Sequence, residues 1–213
     1  ASGGQIEKAN LAEVTLVERN QHVSFPELDK KEGLLEKLVL DTAEGKFPSR
    51  DQLPDTITAG NIETYANWIS ELTEKDTLGA ERGAVLHMPA SNEGIIFPSD
   101  PDIGDENSCG SELAENREKF IPTINIHSHP GDYCHSSGFG DMGTLLAGWK
   151  AKNFIPRGML VATPGHNYLM IKTQETLPAK NKWAVNGKAY AARDGKEMEY
   201  FSRLSSIGIS IDS

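Results

Sequence analysis

No apolar run in this chain is longer than a strand. The longest, such as Gly158–Thr163, fall far short of the roughly 18 residues that a membrane-crossing helix needs. A core must therefore be assembled from several short elements packed together. The chain has 213 residues, and at roughly 100–200 residues per domain that is one domain, or one with an appendage, able to bury a core without disulfide staples. Hydrophobic residues at 38% and charged residues at 24% exclude a disordered chain.

Charge and cysteine content narrow the function classes. Lys and Arg number 21 against 31 Asp and Glu, a formal charge of −10, with no basic cluster. This excludes a nucleic-acid backbone binder. Cys109 and Cys134 are the only cysteines and form no Cys-x-x-Cys pair, so a reducing, cytoplasmic setting is expected. The N-terminus shows no basic segment followed by an apolar one, so neither a signal peptide nor a membrane partner is expected.

Periodicity gives a coarse map. Ser24-Phe25-Pro26-Glu27 has capping-box spacing ahead of Leu34, Leu35, Leu38 and Val39, which recur as on a helix. Residues 46–60 read as loop. Asn61 is the expected cap of a second helix with Ile62, Ala66, Ile69 and Leu72 on one face. Gly83–Met88 and Gly94–Phe97 read as a hairpin around Pro89–Glu93. Residues 98–110 read as a solvated acidic loop without calcium-loop spacing; the alternative is a loop that overhangs the site and meets a basic partner. Ser111–Phe120 reads as a short helix, Ile121–His127 as a strand, and Asp141–Lys152 as a helix. Gly158–Ala162 and Asn167–Lys172 read as a second hairpin, and Glu197–Leu204 as weakly helical. Hairpins mixed with helices favour an α+β, mixed-sheet fold over a doubly wound one. The division expected is a helical N-terminal extension over residues 1–75 and a mixed domain over 76–213.

Three of six histidines, His127, His129 and His135, fall within nine positions, in Ile126-His127-Ser128-His129-Pro130-Gly131-Asp132-Tyr133-Cys134-His135. Residues i and i+2 of a strand share a face, so His127 and His129 can offer two imidazoles to one point. Asp141, opening the next helix, can supply a third ligand, and His135 competes for that place. Two imidazoles and a carboxylate, with a position left for water, make up a catalytic zinc site. The plainer reading is a chance His-x-His pair, but little apolar sequence surrounds it. Cys134 reads as a passive neighbour. His22, His87 and His166 read as isolated surface or half-buried histidines, and Trp149 as core.

With Ser137 and Asp141 following, His127-Ser128-His129-Pro130 resembles the signature of the JAMM (MPN-plus) metalloproteases: a Glu, a long gap, His-Ser/Thr-His-Pro, then Ser and Asp. Ser137 lies eight positions after the second His, as in the family; the family's Asp lies eleven after, where this chain has Gly140, with Asp141 one position later. Glu81-Arg82-Gly83-Ala84-Val85-Leu86 resembles the segment that carries the family's Glu, with Glu93 as the fallback. The resemblance covers roughly residues 76–175. It implies a cytidine-deaminase-like three-layer α/β/α fold, a Zn2+ cofactor on His127, His129 and Asp141, Glu81 as acid–base catalyst, and Ser137 as oxyanion donor. It also implies a protein or peptide substrate, with isopeptide bonds to ubiquitin or ubiquitin-like tails as the family's characteristic target. The alternative is a non-catalytic MPN-type scaffold with a decayed metal site. A barrel hydrolase using His-x-His is not expected, since such barrels place the pair near the N-terminus and need more strands after it.

Overall fold

The structure is a computed structural model. It describes residues 25–28, 34–43, 45–54, 56–57, 60–91, 94–133, 141, 144–145, 154, 156–174, 183–184, 188–192, 198–200 and 208–209. In chain order these include helix α1 (Leu34–Ala43), strand β1 (Thr56–Ile57), helix α2 (Asn61–Lys75), and strands β2 (Arg82–Pro89), β3 (Asp102–Ile103), β4 (Phe120–Ser128), β5 (Gly158–Ala162) and β6 (Asn167–Ile171). Strands β7 (Trp183–Ala184), β8 (Lys188–Ala192), β9 (Met198–Tyr200) and β10 (Gly208–Ile209) follow. Eight strands form one sheet in the order β1-β9-β8-β6-β5-β4-β2-β3, and β7 pairs with β10 apart from it. β4 and β5 run parallel while their outer neighbours run antiparallel. The class is α+β with a mixed sheet. Among the described residues no helix is long and apolar enough to cross a membrane.

Strand alternation divides the sheet into two faces. Ala84, Leu86, Ile124, Ile126, Leu160, Ala162, Leu169 and Ile171 point to one face, where Leu35 and Val39 of α1 and Ile62, Ala66, Ile69 and Leu72 of α2 cover them. The expected face of the second helix is the one buried. Register places Gly83 opposite His127 and Val85 opposite Asn125, and β5 sets Met159 and Val161 beside the same two residues of β4. These residues therefore share the other face, which carries the candidate site. Where β4 ends, the core-side hydroxyl of Ser128 bonds to that of Thr73 in α2 and accepts Arg82 N–H at 2.8 Å. The end of β4 is thus fastened to β2 and α2.

Several sequence expectations differ from the structure for identifiable reasons. The cap of α2 is Gly60, at φ 56°, without a side-chain cap. Asn61 is the first helical residue, and Glu36 Oε1 of α1 accepts its N–H at 2.8 Å, so a tertiary contact serves the free helix end. Phe25–Leu28 are not helical, and Ser24 lies outside the described residues. The hairpin partner of β2 reduces to one bridge, His87 with Ile96: β3 takes the start of the same edge of β2, and Pro98 cannot donate to a ladder. Residues 111–119 are irregular, with a turn only at 117–119, rather than a helix. Their backbone groups find other partners: Ala114 N–H donates to His87 Nε2 at 3.1 Å, and Lys119 N–H to Asn116 Oδ1 at 3.1 Å. Asn is apt to compete with helix in this way. Met198–Tyr200, expected to be helical, pairs as a strand with β8. The β5–β6 hairpin forms as expected.

Candidate metal centre

His127 is the penultimate residue of β4, and His129 follows its last. The pairing with β5 continues one residue further, through His129 N–H to Ala162 O at 2.9 Å. Both imidazoles therefore leave a rigid strand on the same side. Their Nε2 atoms are 3.2 Å apart. Asp141, in a helical turn with Thr144 and Leu145, brings Oδ1 to 3.0 Å from His127 Nε2 and Oδ2 to 3.4 Å from His129 Nε2. Among the described residues these three form a group whose ligand atoms lie within 4.8 Å of one another. The one-position offset of Asp141 does not keep it from the histidines. His135, Cys134, Ser137, Glu93, His22 and Trp149 lie outside the described residues.

The donor set suits a cation. His129 Nδ1 is 2.9 Å from Tyr133 O, a carbonyl that can only accept, so the ring carries its proton on Nδ1. His127 Nδ1 is 3.1 Å from Asn125 Oδ1, whose amide donates to Ser111 Oγ at 3.2 Å, which fixes the same tautomer. Each ring thus turns Nε2 toward the other and toward a carboxylate, an arrangement that calls for positive charge there, a ring proton or a metal ion. Tetrahedral coordination with bonds of about 2.0–2.1 Å puts ligand atoms about 3.3 Å apart, close to the 3.2, 3.0 and 3.4 Å separations here. The group could hold a metal ion. The protonation of His129 reflects the same field. Burial alone would lower its affinity for a proton, but Asp141, the Tyr133 carbonyl and Glu81 outweigh burial and raise it.

Glu81 stands just behind this set. It is buried, with Oε1 4.0 Å from His129 Nε2, so it is in reach of a ligand's neighbour and not itself one of the three. Burial raises its carboxyl above the ordinary range. The two imidazoles pull it back, and Asp141 and Asp105 push it up further. A buried ion pair holds the strand start: Arg82, fully buried, donates to Asp76 Oδ2 at 3.0 Å and to Ala80 O at 2.6 Å. Burial would raise the Asp76 carboxyl, but Leu78 N–H and Arg82 hold it below the usual carboxylate range.

A cavity of about 310 Å³ opens onto the group, lined also by Asn107, Ser108 and Cys109 of the acidic loop and by Tyr133 and Met159. The loop is tied to Glu81 by two backbone bonds, Glu81 N–H to Asp105 O at 2.8 Å and Gly104 N–H to Glu81 O at 2.9 Å. Gly83 lets it lie flat on β2, since a Cβ there would meet Gly110 O at 2.2 Å. Burial, then Glu81, pushes the Cys109 thiol up, so Cys109 is a neutral wall of the cavity.

Sequence reasoning missed Asn125, the Tyr133 carbonyl and the loop wall. Asn125 was findable, as it shares a strand face with His127. The Tyr133 contact is made by backbone and leaves no residue-type signal. His87 and His166 are not isolated: both ring nitrogens of His87 are engaged, Nδ1 with Val85 O at 3.0 Å and Nε2 with Ala114 N–H, and His166 pairs with Asp132. No protein-family model matches the chain, and no curated protein matches it.

Proposed function

We propose that this protein is a zinc-dependent peptidase or isopeptidase of the JAMM type, acting on a protein or peptide substrate in a reducing compartment such as the cytoplasm. One observation carries the reading: a buried carboxylate, Glu81, lies beside but outside a His-His-Asp donor set at the floor of an open cavity. Three ligands plus a separate base is the division of labour that hydrolysis at a metal needs. In this reading the domain over 76–213 is of the cytidine-deaminase-like type, and the described helices of the first 75 residues pack on its sheet.

When bound, zinc would acidify a water and polarise the scissile carbonyl. His127, His129 and Asp141 would hold it, and Asn125 and the Tyr133 carbonyl would fix the two rings. Glu81 takes the proton of the attacking water as its oxygen bonds to the carbonyl carbon. It then delivers that proton to the amine nitrogen as the C–N bond breaks. The resemblance gives Ser137 the hydrogen bond to the developing oxyanion.

The test is Glu81→Gln, which keeps shape but cannot accept the proton. Zinc content should stay at the wild-type level, while cleavage of a panel of isopeptide- and peptide-linked ubiquitin-like substrates falls by about 10²–10⁴-fold. A substrate cut equally well by both proteins would defeat the mechanism.

A further inference from the structure

Beyond the donor set, the structure holds a second polar cluster that the proposed chemistry does not use. Asp132 belongs to the short loop that follows Pro130, and the β5–β6 turn supplies its partners. The Thr163 hydroxyl is 2.9 Å from Asp132 Oδ1, His166 Nδ1 is 2.8 Å from Oδ2, and the Tyr168 hydroxyl donates to Oδ1 at 3.0 Å. The turn is itself closed by Thr163 N–H to His166 O at 2.8 Å, and the His166 ring stacks on Tyr168. One half-exposed carboxylate therefore takes three side chains of a preformed hairpin.

The residue after Asp132 explains what this achieves. Tyr133 O accepts from His129 Nδ1 at 2.9 Å, and the Tyr133 ring stacks on the His129 ring with centroids 4.4 Å apart and 22° between planes. Gly131 makes the fold-back possible: its carbonyl accepts Tyr133 N–H at 2.9 Å, and a Cβ at Gly131 would meet the Tyr133 ring at 2.8 Å. A ligand imidazole can still rotate about its Cβ–Cγ bond, and a partner on its other nitrogen removes that freedom. The partner of His129 sits on a loop, not on a strand, so its position depends on what holds the loop.

We infer that Asp132 is a positioning residue for the metal centre: it clamps the 130–133 loop to the β5–β6 turn, so that the Tyr133 carbonyl and ring fix the orientation of His129. The inference rests on the metal reading above. It assigns no contact between Asp132 and the metal or the substrate.

The experiment titrates the full chain with zinc against a chromophoric chelator. It also records the visible spectrum of the cobalt-substituted protein and the melting temperature of the metal-free protein. Outer partners of ligand histidines typically contribute about 10–100-fold in affinity. Asp132→Ala should therefore weaken zinc by about 10-fold or more and alter the cobalt spectrum. Asp132→Asn, which keeps an acceptor oxygen, should recover part of both. Gly131→Ala should reproduce the spectral change from the other side of the loop. A latch that served only stability would lower the melting temperature and leave the cobalt spectrum as in wild type. That result, or unchanged zinc affinity in Asp132→Ala, overturns the inference and leaves the zinc site standing. If Asp132→Ala does not fold, Asp132→Asn and Gly131→Ala decide by the same two readouts. A wild-type protein that binds neither zinc nor cobalt overturns both.

Discussion

Alternate residues of β4 live in two different environments. Ile124, Ile126 and Ser128 point into the core beneath α1 and α2, where apolar packing and one hydroxyl bridge surround them. Asn125, His127 and, just past the strand, His129 point the other way, into a polar cavity where each ring is held by a specific acceptor. One strand thus serves the core with its even residues and lines the candidate metal site with its odd ones. The core face contributes because it is filled. The site face carries a cost, gathering imidazoles and carboxylates in a buried setting where a proton or a metal ion must offset their charge.

The first way to break this comparison is at the buried ion pair that anchors the start of β2. Asp76→Ala leaves Arg82 buried without its carboxylate, and removing one member of a buried pair costs about 3–5 kcal/mol. Urea unfolding of the metal-free protein measures it. A loss within 1 kcal/mol, on the order of an exposed pair, would show that Asp76 anchors nothing. On the core face of β4, Ile126→Ala should cost about 2–5 kcal/mol with zinc stoichiometry unchanged. If zinc is lost while the protein stays folded, the two faces are not separable.

The odd-numbered face should behave in the opposite way toward zinc. Asn125→Ala should cost about 1–3 kcal/mol, the penalty of the buried partners left unpaired, and weaken zinc by about 10–100-fold, the usual range for an outer partner of a ligand histidine. Competition against a chelator measures this, and unchanged affinity would remove Asn125 from the account.

The smallest effect concerns pH. His87 lies on β2 with Val85 O accepting from Nδ1 and Ala114 N–H donating to Nε2. A proton on Nε2 would displace the second bond. Burial, with Arg117 adding to it, holds the His87 imidazolium below its ordinary value, although the Val85 carbonyl opposes this. The unfolded chain therefore binds a proton at a higher pH than the folded one. The contribution of His87 is fully present above the unfolded value of about 6.5 and is lost as pH falls through and below it. Between neutral pH and about pH 5 the wild type should lose more stability than His87→Gln. Parallel curves for the two proteins would contradict this.

How much of this was legible in the sequence follows the same division. Period-2 alternation through Asn125, His127 and His129 is local, so the paired imidazoles could be read directly, as could the buried face of α2 and the β5–β6 hairpin. What could not be read depends on distant partners. The acceptor for the free N-terminus of α2 comes from Glu36 in another helix, and the non-helical path of 111–119 is held at Ala114 by His87, 27 residues away. Met198–Tyr200 becomes a strand because an edge of β8 is there to receive it. Within the site, His127, His129 and Asp141 announced themselves by residue type and spacing, and Glu81 came only from the resemblance. The carbonyl of Tyr133 is available at every residue and becomes functional only through the turn at Gly131.

The most direct test of the account is the metal content of purified protein, measured by mass spectrometry after zinc loading and removal of excess. One zinc per wild-type chain is predicted, with none retained when His127, His129 or Asp141 is replaced by Ala, and with the metal-free variants as stable as the metal-free wild type. Full zinc retention in a His127→Ala/His129→Ala double variant, or a wild-type chain that takes up no metal, would contradict it.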